Sequence, residues 1–187
     1  GVALAMLASV DAADSEQNLK LTEQYDYLLG SVGIHPENLP EHPAEELERI
    51  AALAAHKNCY AIGEIGLDYY WHKEEHEHEI QKKMFRAQME IAREAQMPFM
   101  IHSREAAKDT LDIVKDCMKG GMYGGIIHCF SYSREIAAEY LKMGLYLGIG
   151  GVVTFKNAKK LKETVQYAPL SQLVLETDCP YMSPEPN

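Results

Sequence analysis

A (β/α)8 TIM barrel with seven of its eight strands present is the α/β fold this sequence predicts, on three observations. Apolar, strand-like runs alternate with helical periodicity along the whole chain, and strand, helix, strand repetition implies parallel pairing through right-handed crossovers. Four of the runs end on side chains of metal-ligand type: Glu64 in AIGEIGLDYY, His102 in PFMIHSREA, His128 in GGIIHCF and Asp178 in LVLETDCP. A barrel gathers such ends around one centre, whereas an open sheet spreads them along an edge. Doubly wound open sheets also tend to carry a glycine-rich phosphate loop after the first strand, and SVDAADS has none.

The elements follow in order. VALAMLAS at 2–9 is strand-like, and 15–29 reads as a helix with Leu19, Tyr25 and Leu28 among its apolar positions. LLGSVGIHP at 28–36 is again a strand, and 43–56 is a helix with Leu47, Ile50, Ala51 and Ala54 on one face. After the strand YAIGEIGL comes the longest helix, 75–96, with Ile80, Met84, Ala87, Ile91 and Ala95 at helical spacing. Pro98 opens the strand PFMIH, and the helix over 105–118 is ended by Gly120 and Gly121. GGIIHCF, a helix over 133–143, LYLGIGGVV, a helix over 157–167 and LVLETD complete seven strands and six helices. No linker, low-complexity segment or internal repeat interrupts them, so 1–187 reads as a single domain.

Composition bounds the function. With 187 residues, 47% of them hydrophobic and 25% charged, the chain is large enough to bury a substantial core. No run of about 18 apolar residues offers a membrane span, and GVALAMLASVD lacks the basic start of a signal peptide. A cytoplasmic location is expected, or a nuclear one in a eukaryote. Cys59, Cys117, Cys129 and Cys179 are widely spaced and form no CxxC pair, which fits reduced thiols acting as small buried filler. Cys129 and Cys179 adjoin His128 and Asp178, where a thiolate could also bind zinc. A net charge of −10 excludes broad attraction to nucleic acid, so any such contact must be local and metal-assisted.

The strand-end residues carry the chemistry. A carboxylate such as Glu64 can bridge two divalent ions, and Gly63 and Gly66 beside it allow close backbone approach. Neutral imidazole, as at His102 and His128, is a common metal ligand. Asp178 could bind metal or act as general base toward water. Each has an ordinary alternative: an ion pair for Glu64, a hydrogen-bonded core imidazole for the histidines, a helix N-cap for Asp178. Together they read as a site, with Asp178 and Glu64 as catalytic groups and Glu64, His102, His128 and Asp178 as metal ligands.

His35 in GIHP should point into the same mouth, to contact a substrate phosphate or complete a metal shell. Arg104 and Lys156 lie just past strand ends, where a phosphate would be held by a bidentate guanidinium and a point charge. Asp68 follows Glu64 by four positions and is expected among the substrate-binding groups. So is Tyr69, which with Tyr70 and Trp71 forms a candidate nucleobase platform. His76-Glu77-His78 has the spelling of a metal pair, but on a helix its rings diverge, and it reads as a solvated helix start.

With these residues in hand, the chain resembles the TatD family of metal-dependent deoxyribonucleases, through GIHP, AIGEIGLDYY, PFMIHSREA, GGIIHCFS, LGIGGVVTFKNAKKLKE and LETDCPYMSP. The resemblance implies an amidohydrolase-type barrel that binds one or two divalent ions (Mg²⁺, Mn²⁺ or Zn²⁺) and hydrolyses DNA phosphodiesters, often from the 3′ end. Glu64 then resembles the bridging carboxylate, His102 and His128 the histidine ligands, and Asp178 the carboxylate that holds metal and activates water. Single-stranded or fragmented DNA is the implied partner, with no membrane and no obligate protein partner. The family's first strand, with its HxH pair, and its Arg-Asn-Glu-Pro stretch with the helical region after it have no counterpart here. The domain is therefore expected to be incomplete at both ends, with edges left on the two neighbouring strands. Two other classes use or forgo the same ligands: an ester or amide hydrolase such as an aminoacyl-ester deacylase, and a catalytically silent scaffold.

Overall fold

The computed structural model describes residues 2–186. Seven strands pair in chain order: β1 (Ala5–Leu7), β2 (Leu28–Val32), β3 (Cys59–Asp68), β4 (Phe99–Arg104), β5 (Gly125–Ile127), β6 (Tyr146–Ile149) and β7 (Leu173–Leu175). Six helices make the crossovers: α1 (Ala12–Thr22), α2 (Pro43–Ala54), α3 (Glu75–Glu94), α4 (Ala107–Met118), α5 (Arg134–Lys142) and α6 (Lys159–Tyr167). Every neighbouring pair is parallel, as strands joined through helices must be. Among the described residues β1 and β7 do not pair with each other.

The sheet curls into part of a barrel. In a flat sheet β3 and β7, four strands apart, would lie about 19 Å from each other. Yet Glu64 on β3 and Asp178 just past β7 both reach the ring of His128, at 3.7 and 2.9 Å. The strand ends therefore converge on one mouth, as in the (β/α)8 architecture expected from the sequence.

The core explains why the middle of the sheet is continuous. Ile62, Ile65, Leu67, Phe99, Ile101, Ile127 and Leu147 are almost wholly removed from water, packed with Phe85 and Met89 of α3. Full burial of each such side chain is worth about 1.5–3 kcal/mol. β3 is buried at nine of its ten positions, the mark of a parallel strand covered on both faces.

Three expectations about elements are corrected. α1 spans Ala12–Thr22 rather than 15–29, because Asp11 caps its start by accepting the Asp14 amide hydrogen. A turn closed by the Leu28 amide on the Tyr25 carbonyl separates it from β2, and Tyr25 is exposed. On α3 the buried face is Gln81, Met84, Phe85, Gln88, Met89 and Ala92, while Ile80 stands exposed. The two outer strands, β1 and β7, shrink to three residues each. The four cysteines are free thiols. No helix among the described residues is long and apolar enough to cross a membrane.

Candidate metal centre

The site lies at the C-terminal ends of the strands, where βα barrels assemble their chemistry. At its centre is one oxygen of Glu64, a residue only 7% exposed. Three imidazoles face that Oε1: His102 Nδ1 at 3.0 Å, His128 Nε2 at 3.7 Å and His35 Nε2 at 3.9 Å. Ligand atoms of His35, Glu64 and His102 all fall within 4.8 Å of one another. Asp178 joins through its Oδ1, 2.9 Å from His128 Nε2.

Local backbone geometry makes this meeting possible. The register of β2–β3 shifts between Gly30 and Ser31, and that of β3–β4 between Ile62 and Ile65, the stretch that holds Glu64. Gly66 has a φ of +145°, and a Cβ there would sit 1.9 Å from the His102 carbonyl oxygen. Only glycine permits β3 to pass β4 so closely at the level of His102.

Each of two histidines is held from behind by a second carboxylate. His102 presents Nδ1 to Glu64, while its Nε2 lies 3.0 Å from Asp68 Oδ2. His128 presents Nε2 to Glu64 and Asp178, while its Nδ1 lies 2.8 Å from Glu176 Oε2. Metal-ligating histidines almost always have their far nitrogen fixed in this way, which sets the tautomer and raises ligand basicity. His35 differs, since its Nδ1 accepts a hydrogen bond from the Glu37 amide at 3.2 Å. A neutral ring in that tautomer carries its proton on Nε2, as a donor aimed into the mouth.

The electrostatics show a surplus of negative charge seeking cations. Burial disfavours the charged forms of His102 and His128, but their carboxylate partners outweigh it and raise the pKa values to about 9 and about 11. Burial also works against the Glu64 anion, but the His102 hydrogen bond and the surrounding imidazoles hold its pKa below the usual carboxylate range. Asp68 is likewise pushed up by burial and brought down to about 2 by His102 and the Tyr70 and Trp71 amides. His35, where burial dominates and His102 adds to it, falls to about 4 and stays neutral. Protons thus occupy nitrogens that a divalent ion would take. The buried carboxylate, the facing imidazoles and the carboxylates behind them fit a metal of the Mg²⁺, Mn²⁺ or Zn²⁺ class.

The structure brings Glu64, His102, His128, Asp178 and His35 together, and it redirects other expected residues. Asp68 is fully buried, its Oδ2 on His102 and its Oδ1 on the amides of Tyr70 and Trp71, so it serves His102 rather than meeting substrate directly. Tyr69 stacks on His78 with ring centroids 3.6 Å apart and donates its hydroxyl to Asp109, which leaves it no open ring face on that side. His78 is accordingly packed rather than solvated, and only His76 of that pair is exposed. Arg104 is exposed at the end of β4 over the Tyr70 ring. Lys156 is exposed beyond the 3-10 turn at Gly151–Thr154 and touches none of the cluster. The Cys129 thiol is held protonated by burial and by Asp178 and Glu176, which argues against a thiolate ligand.

Sequence reasoning missed three residues. Glu176 precedes Asp178 by two positions, the spacing that puts both on one face of an extended segment. Its signal was also in Gly148, where a Cβ would collide with the Glu176 carboxylate at 2.1 Å. Gln88 accepts the Ile34 amide hydrogen at 2.7 Å and donates to the Ile34 carbonyl at 3.0 Å, fixing the residue before His35. Gln81 does the same for the backbone of Asp68, at 2.9 and 3.1 Å. Two glutamines seven residues apart on an otherwise apolar helix face are the pattern that could have revealed them.

The model of the family described as TatD related DNase matches residues 1–187. The chain is 44% identical over 169 residues to the uncharacterized metal-dependent hydrolase YabD of Bacillus subtilis, covering 90% of this chain and 65% of that protein. It is 33% identical over 185 residues to the 3′-5′ ssDNA/RNA exonuclease TatD of Citrobacter koseri, covering 98% of this chain and 70% of that one. The crystal structure of YJJV, a TatD homolog from Escherichia coli K12, superposes with a TM-score of 0.91 at 28% identity, over 100% of this chain and 71% of that one.

Proposed function

This chain belongs to the TatD-related DNase family, and from that membership we propose that it acts as a metal-dependent hydrolase that cleaves phosphodiester bonds of single-stranded or fragmented DNA, working from the 3′ end. The observation that carries the reading is the single Glu64 oxygen faced by three imidazoles, two of them backed by a second carboxylate.

In this reading Glu64, His102, His128 and Asp178 hold one or two divalent ions. When bound, such an ion supplies Lewis-acid polarisation of the phosphoryl group and lowers the pKa of water. Asp68 and Glu176 keep the ligand nitrogens of His102 and His128 unprotonated by accepting a hydrogen bond from the N–H on the far side of each ring. Asp178, held ionised first by its bond to His128, accepts the proton of the attacking water. His35 donates from Nε2 to a phosphate oxygen, and Arg104 and Lys156 offer charge to the phosphates on either side.

Hydrolysis of a 3′-labelled single-stranded oligonucleotide in Mg²⁺ or Mn²⁺ tests this, against EDTA and Glu64→Gln. Cleavage lost in both controls, with the variant's melting curve still cooperative, is the expected result. Undiminished cleavage by Glu64→Gln would falsify the assignment. Activity on a chromogenic carboxylic ester, uninhibited by DNA, would instead move the site to ester hydrolysis.

A further inference from the structure

Beside the metal centre, the segment joining β3 to α3 exposes two aromatic rings that no core claims. Trp71 is 61% and Tyr70 38% exposed, and their centroids lie 4.7 Å apart in an edge-to-face pair. Two cations crowd the same pair. The Arg104 guanidinium sits 3.8 Å from the Tyr70 centroid and 5.6 Å from that of Trp71, and Lys73 Nζ lies 5.2 Å from Tyr70. Lys73 also pairs with Glu105 at 3.5 Å, which leaves Arg104 as the main cation of the patch; its guanidinium covers one face of Tyr70, and Trp71 offers the more open ring.

The patch is keyed to the metal centre by one carboxylate. Asp68 Oδ1 accepts the amide hydrogens of Tyr70 and Trp71, at 2.9 and 3.1 Å, while Oδ2 lies 3.0 Å from His102 Nε2. Arg104 is the register partner of Asp68 across β3–β4. Whatever lies on Trp71 is therefore held at a fixed offset from the ring that faces Glu64. Tyr69, the third aromatic of the run, is turned away onto His78 and Asp109.

We propose that Tyr70 and Trp71, with Arg104, form the stacking platform for an unpaired nucleobase next to the scissile phosphate, and so make the site selective for single strands. The proposal rests on the nuclease reading and names the residues that recognise the base. A planar base attached to a phosphate satisfies both halves of the patch: ring faces for stacking and guanidinium for the phosphate. In a duplex the base faces are already stacked, leaving only a frayed or single-stranded end able to occupy Trp71.

Trp71 is the sole tryptophan of the chain, so its fluorescence reports on this platform alone. The full chain in Mg²⁺ is titrated with a thymidine hexamer carrying phosphorothioate linkages, which slow cleavage, and with an abasic hexamer of the same charge. Saturable quenching by the thymidine strand and none by the abasic strand is expected. In fluorescence anisotropy with a labelled thymidine hexamer, Trp71→Ala should bind at least about fivefold more weakly, the low end of base-stacking effects.

Equal quenching by both strands, or strand binding without any change in Trp71 emission, overturns the proposal, as does the absence of binding. Quenching without hydrolysis of an ordinary strand keeps the platform and sinks the nuclease reading. Hydrolysis without quenching does the reverse.

Discussion

β3 carries the candidate ligand Glu64 and β7 ends three residues before the candidate ligand Asp178, but the two strands are held in opposite ways. β3 runs for ten residues with nine buried, and Gln81 of α3 grips the backbone at its end. β7 has three residues and none of them buried, with Leu175 at its end 92% exposed. Glu64 is consequently set by the core before any ion arrives. Asp178 is set by its hydrogen bond to His128, beyond a strand paired on one side only among the described residues. The contrast teaches that the half of the site around Glu64 and His102 is preorganised by packing, while the half around Asp178 depends on side-chain contacts.

The largest expected effect tests the packed half. Gln88→Ala removes both partners of the buried Ile34 peptide groups, each costing about 1–3 kcal/mol when left unpaired. A loss of roughly 2–6 kcal/mol in urea unfolding is expected, with His35 displaced and turnover reduced. A variant as stable as the parent would mean that solvent already reaches Ile34 and that the preorganisation is not real.

Next comes pH, which probes the contacts that join the two halves. The folded-state pKa values of about 9 for His102 and about 11 for His128 stand above the ordinary value of 6.5. A raised pKa contributes stability that is complete below the unfolded value and lost as pH climbs through the folded one. The metal-free protein should therefore weaken progressively from about pH 6.5 to 11, even though Glu64, Asp68 and Asp178, with lowered values, favour folding at any pH above the acid range. A divalent ion must displace the histidine protons, so its affinity should rise over the same window and its binding release protons. Calorimetric titration in buffers of different ionisation enthalpy measures that release, and a release of zero would place the metal away from both histidines.

How much of this was legible beforehand depends on which force placed each residue. Glu64, His102, His128 and Asp178 could be read because a polar side chain ending an apolar strand leaves a one-dimensional signature. His35 was legible for the same reason, although the Glu37 amide that bonds its Nδ1 could be found only in three dimensions. Glu176, Gln81 and Gln88 were legible only as spacings, because their partners lie 48, 13 and 54 residues away in the chain and no periodicity encodes a hydrogen bond. The helical face of α3 was misassigned by about one position for the same cause: strand-end backbone groups recruited glutamines where apolar spacing pointed to Ile80. Asp68 and Tyr69 sat in the right motif, but whether a motif residue faces substrate or supports its neighbour is fixed only by three-dimensional contacts.

Glu176→Gln sharpens the comparison at the weaker half. The amide keeps the shape but removes the charge that holds His128 Nδ1–H, and changes of this kind behind a metal ligand cost about 10–100-fold in affinity. The same substitution behind His102, Asp68→Asn, also loses the anion that accepts the Tyr70 and Trp71 amides. It should therefore reduce both metal affinity and quenching of Trp71 by single strands, whereas Glu176→Gln should reduce metal affinity alone. Equal effects of the two variants on Trp71 would show that the halves are mechanically coupled.

The smallest effect belongs to the rim itself. Leu175 lies at the end of β7 with almost all its surface in water, so Leu175→Ala deletes little buried area and should alter stability by no more than about 0.5 kcal/mol. The measurement is a pair of urea curves at low and high protein concentration. A loss of 2 kcal/mol or more, the cost of truncating a buried leucine, would mean that another element covers β7 in solution. Asp178 would then be fixed by packing as firmly as Glu64, and the difference between the two halves of the site would vanish.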